Sequence, residues 1–295
     1  MKKILQLTLF LAISNLAIAQ TSGKTTQTRD LNAFTSVELQ MAATVYITQG
    51  NNFNVQVSSR EDLLDKIITS VDDNSLKIYT NQKDWWKMKA DVIVYITMPK
   101  PNQLHVYGSG SINVQNNLTT DYLSLEVHGS GMIKTLDYKA SKAEANVYGS
   151  GVIKQQNIIA DGLVENIEGS GMIESVSISA RSASLNLEGS GVIKSGNITS
   201  VNLETAGAGS GYIEIKKGMV QNIIMETAGS GNIAASELAG QTVSAKVTGS
   251  GNISITVVDG LNAEVAGSGS VKYKGSPAKI SKSVNGSGTV SQMKP

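Results

Sequence analysis

The sequence predicts an all-β fold, a parallel β-helix (solenoid) assembled from coils of about 20 residues. Three observations carry that prediction. Gly-Ser-Gly occurs ten times, starting at Gly108, Gly129, Gly149, Gly169, Gly189, Gly209, Gly229, Gly249, Gly267 and Gly286, with steps of 21, then 20 six times, then 18 and 19. An aliphatic residue follows each first glycine at the fourth position: Ile112, Ile133, Ile153, Ile173, Ile193, Ile213, Ile233, Ile253, Val271 and Val290. Before each motif, apolar and polar residues alternate, as in Leu123-Ser124-Leu125-Glu126-Val127 and Ala183-Ser184-Leu185-Asn186-Leu187.

Strict alternation puts every second side chain on one face, which is the pattern of a half-buried strand. Numbering the first glycine as zero, offsets −6, −4, −2 and +4 then face a common core. Glu165, Thr205, Gly207 and Thr227 fall where this pattern expects an aliphatic residue. Two or three short strands and tight turns fit in 20 residues, and equivalent strands of successive coils pair about 4.8 Å apart, so ten coils make a rod on the order of 50 Å long. Propeller blades need roughly 40 residues or more, and leucine-rich repeats carry a different pattern.

The chain opens with Met1-Lys2-Lys3, an apolar run from Ile4 to Ile13, and Ala17-Ile18-Ala19 before Gln20. This is the layout of an export signal over residues 1–19, and the apolar run is too short for a membrane span. No later apolar stretch reaches the ~20 residues of a transmembrane helix. Cysteine is absent, which excludes disulfides, thiol catalysis and cysteine-held metals. Removal of Lys2 and Lys3 takes the formal net charge from +1 to −1, so nothing points to nucleic acid or anionic lipid. No cofactor signature is present.

Residues 30–100 lack the repeat but remain strand-like, with turns at Gln49-Gly50-Asn51-Asn52 and Val71-Asp72-Asp73-Asn74-Ser75, and with one helical turn expected around Asp62 to Ile68. An atypical section is what the exposed end of a stack requires. Residues 101–295 carry the ten repeats. Near the far end, Lys272-Tyr273-Lys274-Gly275-Ser276-Pro277 breaks the period, and its proline suits an edge.

Gly-Ser-Gly itself reads as a corner. Phosphate loops need a following helix, and calcium-binding β-rolls need aspartate in a nonapeptide; neither accompanies these motifs. Glycine supplies positive φ and close backbone approach, and stacked serine hydroxyls can bond along the ladder.

The segments Arg29-Asp30-Leu31-Asn32-Ala33-Phe34-Thr35-Ser36-Val37-Glu38-Leu39, Val45-Tyr46-Ile47-Thr48-Gln49-Gly50 and Gly267-Ser268-Gly269-Ser270-Val271-Lys272-Tyr273-Lys274-Gly275-Ser276-Pro277 resemble the opening and close of a bacterial family, the "putative auto-transporter adhesin, head GIN domain". The resemblance covers residues 30–295. It implies an exported, right-handed parallel β-helix of a kind common in Bacteroidetes-type bacteria, placed in the periplasm, on the outer membrane or outside the cell. It supplies no catalytic residues.

Candidate functional residues lie on outward columns. Offset −1 reads Tyr107, His128, Tyr148, Glu168 and Glu188, a strip of rings and carboxylates that fits a sugar-binding surface: rings cover apolar sugar faces, and carboxylates accept from hydroxyls. The same residues would serve equally as a solvated strand face. Glu168 and Glu188 fall about 5 Å apart in register, the spacing of a retaining glycosidase pair, and Asp121 and Asp161 fall two coils apart. Nothing in the pattern buries either pair to create a proton donor. Offset +5 carries Lys134, Lys154, Glu174, Lys194 and Glu214, charges of mixed sign that suit ladder pairing on a solvated face. His105 and His128 sit at different offsets without companions, which argues against a metal site. Trp85 and Trp86, between Lys83 and Lys89, would point opposite ways on a strand, exposing one to a glycan, protein or membrane partner.

Together these observations predict an exported, non-enzymatic binding module that offers a repetitive face to a glycan or protein. A polysaccharide-cleaving enzyme and a purely architectural envelope protein are the alternatives.

Overall fold

The computed structural model describes residues 23–85 and 91–293; the leader expected at 1–19 and the candidate Trp86 lie outside the described residues. The described chain is a β-solenoid of about ten turns with parallel coils. Each coil has three straight sides. Between the strands Val152–Gly169 and Met172–Gly189, for example, pairing runs from Val152 to Gln155, from Asn157 to Ala160 and from Gly162 to Gly169, each partner being 20 residues on. Positions 156 and 161 are skipped at two corners, and Gly-Ser-Gly forms the third.

Inward columns form one continuous core. Ile112, Ile133, Ile153, Ile173 and Ile193 are fully buried one above another, as are Leu104, Leu125 and Ala145 on another side. Burial of each isoleucine or leucine is worth roughly 1.5–3 kcal/mol, so a narrow aliphatic column repeated along the rod suffices without disulfides.

The Gly-Ser-Gly corner is held by the backbone. Each first glycine has positive φ, from +103° at Gly229 to +127° at Gly169. At Gly169 a Cβ would stand 2.6 Å from the carbonyl oxygen of Gly149 in the coil before it. That carbonyl accepts from Ser170 N–H at 2.8 Å, and the pattern repeats from Ser130 to Ser268. The corner thus joins neighbouring coils by a contact too close for any side chain. A serine hydroxyl bridge along the ladder occurs between Ser268 and Ser287 (3.1 Å).

At the N-terminal end the coil order departs from sequence order. Strand Ser36–Leu39 is inserted between Ser75–Tyr79 and Gln103–Gly108, parallel to both, and Thr44–Gln49 lies between Ile93–Met98 and Ser111–Val114. Antiparallel strands then close the stack. Asn54–Ser59 covers Ile93–Met98, Thr25–Arg29 covers Asn54–Ser59, and Ile68–Asp72 folds back on Ser75–Tyr79 through Asp73 and Asn74, both at positive φ. The expected helical turn is the helix Glu61–Leu64, whose Leu63 and Leu64 join the core. The C-terminal end is different. Lys279–Asn285 is exposed along its whole length and pairs only with the strand before it, Asn252–Gly267, among the described residues.

The interior holds one carboxyl group in a polar network. Glu165, fully buried, occupies an inward position where neighbouring coils carry Ala145 and Leu185. Its Oε1 accepts from Ser175 Oγ (2.7 Å) and from Gln155 Nε2 (2.9 Å), and Gln155 Oε1 accepts from Tyr138 Oη (2.6 Å). Its Oε2 has no hydrogen-bond partner among the described residues. Burial pushes the carboxyl up to about 7, against the opposing pull of the Ser175 and Gln155 hydrogen bonds.

Two outcomes follow from this architecture. Gly169→Val should destabilise the stack by more than the ~1 kcal/mol of an ordinary glycine substitution, since it adds strain at positive φ and a clash with Gly149; denaturant unfolding that matches the wild type would show that the corner tolerates a side chain. The fold raises Glu165 above its unfolded value and so favours its protonated form: that contribution is fully present below the unfolded value of 4.5 and is lost as pH rises through about 7. At 1.36 kcal/mol per unit this is on the order of 3 kcal/mol. Unfolding midpoints of wild type and Glu165→Gln should therefore diverge between pH 4.5 and 8, with the variant gaining relative stability as pH rises; parallel curves would contradict the assignment.

Candidate binding groove

Parallel, in-register pairing turns offset −1 into a physical column. Tyr107, His128, Tyr148, Glu168 and Glu188 are successive register partners. The rings stack: Tyr107 on His128 at 5.0 Å and 14°, and His128 on Tyr148 at 4.6 Å and 18°. His128 Nε2 is further paired with Glu126 Oε1, and His105 meets Tyr107 edge-on at 6.4 Å. Partial burial, reinforced by nearby carboxylates including Glu126, raises the phenols of Tyr107 and Tyr148 above their ordinary value. Both are therefore neutral hydroxyls at physiological pH, able to donate and accept.

Stacked rings cover one another's faces. Tyr148 ends the stack, and of the three rings it alone lines the groove that follows. This depression, about 410 Å³, runs from Tyr148 to Thr248 across the rungs of Glu168, Glu188, Ala208 and Ala228. Its cause is local sequence. The rung Asn186-Leu187-Glu188 is followed in register by Ala206-Gly207-Ala208, so three consecutive side chains shrink together. At Gly207 an inward column loses its side chain entirely; a Cβ there would find Thr227 Oγ1 at 3.7 Å as its nearest neighbour. The wall opens, and Ile167, Leu187 and Thr227 line the groove beneath its rim. The rim is polar, with Asn166, Asn186, Glu168, Glu188, Glu226 and Lys246.

Asparagines flank the strip. Asn166 Nδ2 donates to Asn146 Oδ1 at 2.8 Å, and Asn186 Nδ2 to Asn166 Oδ1 at 2.8 Å. This amide ladder stops at Asn186, because the next rung carries Ala206.

The sequence-predicted residues divide accordingly. Tyr148, Glu168 and Glu188 border the groove, whereas Tyr107 and His128 extend the aromatic strip away from it. Trp85 is corrected: it is only 7% exposed and packs in the core, so its indole offers no surface contact. Glu168 and Glu188 are exposed neighbours on adjacent rungs, and Asp121 and Asp161 sit at a different corner of the coil, also exposed. Lys154 and Glu174 on the charged column pair at 3.2 Å, a solvated contact of little energetic weight. No group of three or more His, Cys, Asp or Glu is placed to hold a metal among the described residues. The alternation pattern singles out Gly207 only as an exception and Ala208 only as the end of the charged strip; the signal for the groove is the joint loss of side chains at Ala206, Gly207 and Ala208 in the aligned repeats.

The chain belongs to the family described as "putative auto-transporter adhesin, head GIN domain", whose model matches residues 33–210 and 163–277. It is similar in fold to several solved bacterial proteins. A "putative adhesin" from Parabacteroides distasonis is 20% identical with a TM-score of 0.54, covering 92% of this chain and 97% of its own. A "putative lipid binding protein" from the same species is 24% identical with a TM-score of 0.51, covering 92% and 98%. A "putative adhesin" from Parabacteroides merdae is 19% identical with a TM-score of 0.50, covering 92% and 97%. No curated protein matches the chain. No helix among the described residues is long and apolar enough to cross a membrane.

Proposed function

We propose that the chain is an exported, non-enzymatic adhesion module that binds glycan in the groove running from Tyr148 to Thr248, where Tyr148, Glu168 and Glu188 of the outer strip border it. The observation that carries this reading is the groove at Ala206-Gly207-Ala208, which joins an aromatic ring end to carboxylates and amides over an apolar floor. Sugars present both kinds of surface, and a site that pairs a ring face with hydrogen-bond acceptors suits them. The family description and the adhesin names of its solved relatives agree with a binding role.

Binding would be multivalent, with successive sugar units contacting successive rungs of a rigid face, so weak contacts add. Glu168 and Glu188 act in this reading as hydroxyl acceptors: both are exposed, whereas acid catalysis needs one carboxyl set in an environment that keeps its proton. One solved relative is described as lipid binding. Here three carboxylates against one lysine at the groove rim disfavour an anionic head group.

A glycan array followed by calorimetry tests the proposal. Tyr148→Ala combined with Glu168→Gln should weaken the best glycan by roughly tenfold or more while the protein stays folded with at most a modest loss of thermal stability, since Glu168 is exposed and half-buried Tyr148 gives up its stack on His128 and no core contact of the aliphatic columns. An array without hits, or a double variant that binds like wild type, would overturn it; so would sugar release from the bound glycan that is lost in Glu168→Gln.

A further inference from the structure

The groove has the outline of the side chains missing from one rung. Its neighbour rung supplies an amide at Asn186, an aliphatic group at Leu187 and a carboxylate at Glu188; the groove rung supplies Ala206, Gly207 and Ala208 in their places. Along the amide ladder every Nδ2 points back one rung, to Asn146 from Asn166 and to Asn166 from Asn186. The same orientation turns Asn186 Oδ1 toward the rung of Ala206, where no amide follows. Among the described residues its one other contact is the Ser184 hydroxyl at 3.4 Å, and Ser184 Oγ also accepts from Asn186 Nδ2 at 3.1 Å. A strong amide acceptor is thus left open beside an apolar notch.

The geometry points to an N-acetylated amino sugar as the ligand of this groove, its acetamido group acting as the fourth rung of the amide ladder. The ligand N–H donates to Asn186 Oδ1. The methyl group enters the notch at Gly207, against Leu187 and Ala206. Ring hydroxyls reach Glu188 on the adjoining rung, and further units extend toward Tyr148. Both halves of the acetamide are needed for this match, since a hydroxyl at the same carbon fills no apolar notch, and a free amine brings a charge but no methyl. The inference rests on the glycan reading and adds to it a substrate class and a specificity-determining pair, Ala206 and Gly207.

Two substitutions close the site without breaking the fold. Ala206→Asn continues the existing ladder by one amide, and Gly207→Leu restores the aliphatic column into space where a Cβ meets nothing nearer than 3.7 Å. Glucose, glucosamine and N-acetylglucosamine, each as monosaccharide and short oligomer, are titrated into wild type and both variants by calorimetry or saturation-transfer NMR, with unfolding curves recorded alongside. The expected result is a preference for the N-acetylated sugar over glucose of roughly tenfold or more, the discrimination open to a methyl pocket joined to a hydrogen bond. Both variants should lose that preference and keep wild-type stability or better. If charge alone governed the site, glucosamine would bind best, and the inference would fall. Equal binding of all three sugars also overturns it, while the broader glycan reading stands. Preference retained in both folded variants places the acetamido group elsewhere and overturns it too. An N-acetyl-lysine peptide that competes equally would redirect the groove to a protein partner, and absence of any sugar binding would remove the glycan reading itself.

Discussion

In-register parallel pairing between coils is the constraint on which everything else depends. Along the straight sides of the coils from Leu118 to Gly249, most residues meet a counterpart one coil away, usually 20 residues on, with corner positions skipped and the register shifted near Ala239, so a side chain's surroundings are set largely by the same position in its neighbours. The corner enforces this. With the carbonyl of Gly149 bonded to Ser170 and seated against the Cα of Gly169, a coil cannot slip by one residue without opening the bond and driving a side chain into backbone. A slip of one would also turn every inward aliphatic residue outward. Glycine and the aliphatic columns therefore secure the same register by independent means.

Register of this kind makes each column a one-dimensional series whose chemistry depends on what repeats. Amides repeat well, because each donates to the one before it, as Asn146, Asn166 and Asn186 do. Aromatic rings repeat well too, and Tyr107, His128 and Tyr148 stack nearly parallel. Charges follow no single rule: Lys154 is followed by Glu174, yet it also follows Lys134, and Glu188 follows Glu168, like charges tolerated because they stay exposed to water. A series that continues consumes its own binding capacity, since each amide and each ring face is satisfied by its neighbour. Capacity for an external ligand is left where a series stops. Two series stop within the same stretch of wall: the rings at Tyr148 and the amides at Asn186.

Most of the fold was legible in the sequence because its signals were periodic and redundant. Ten glycine corners and the isoleucine column from Ile112 to Ile253 agree on one period, and all of them lie where that period places them. The outward direction of offset −1 followed from alternation alone. What escaped had no period. The insertion of Ser36–Leu39 between later strands is a long-range choice of neighbour, which local alternation does not encode. Alternation says that one of two adjacent tryptophans faces water but not which one, and Trp85 packs in the core of the atypical N-terminal section. The groove escaped for a different reason. A cavity is made by absent side chains, and Ala206, Gly207 and Ala208 carry no chemistry of their own to attract notice.

The departures from the aliphatic pattern also share a location, and the mechanics of a stack account for it. Glu165, Thr205, Gly207 and Thr227 lie in coils with well-formed neighbours on both sides. The stability of a solenoid is close to a sum of coil and nearest-neighbour terms, so a weak rung in the interior is supported by two interfaces, whereas a weak rung at an end frays. The ends are accordingly given to other tasks: antiparallel strands and the helix Glu61–Leu64 with its buried Leu63 and Leu64 at one, and the exposed strand Lys279–Asn285 at the other. A buried carboxyl with an unpartnered oxygen and a wall opened at Gly207 are costs that only the middle of the rod can carry. The same reasoning explains why binding capacity gathers there: a groove needs missing side chains, and the interior coils are where side chains can be lost while the register holds.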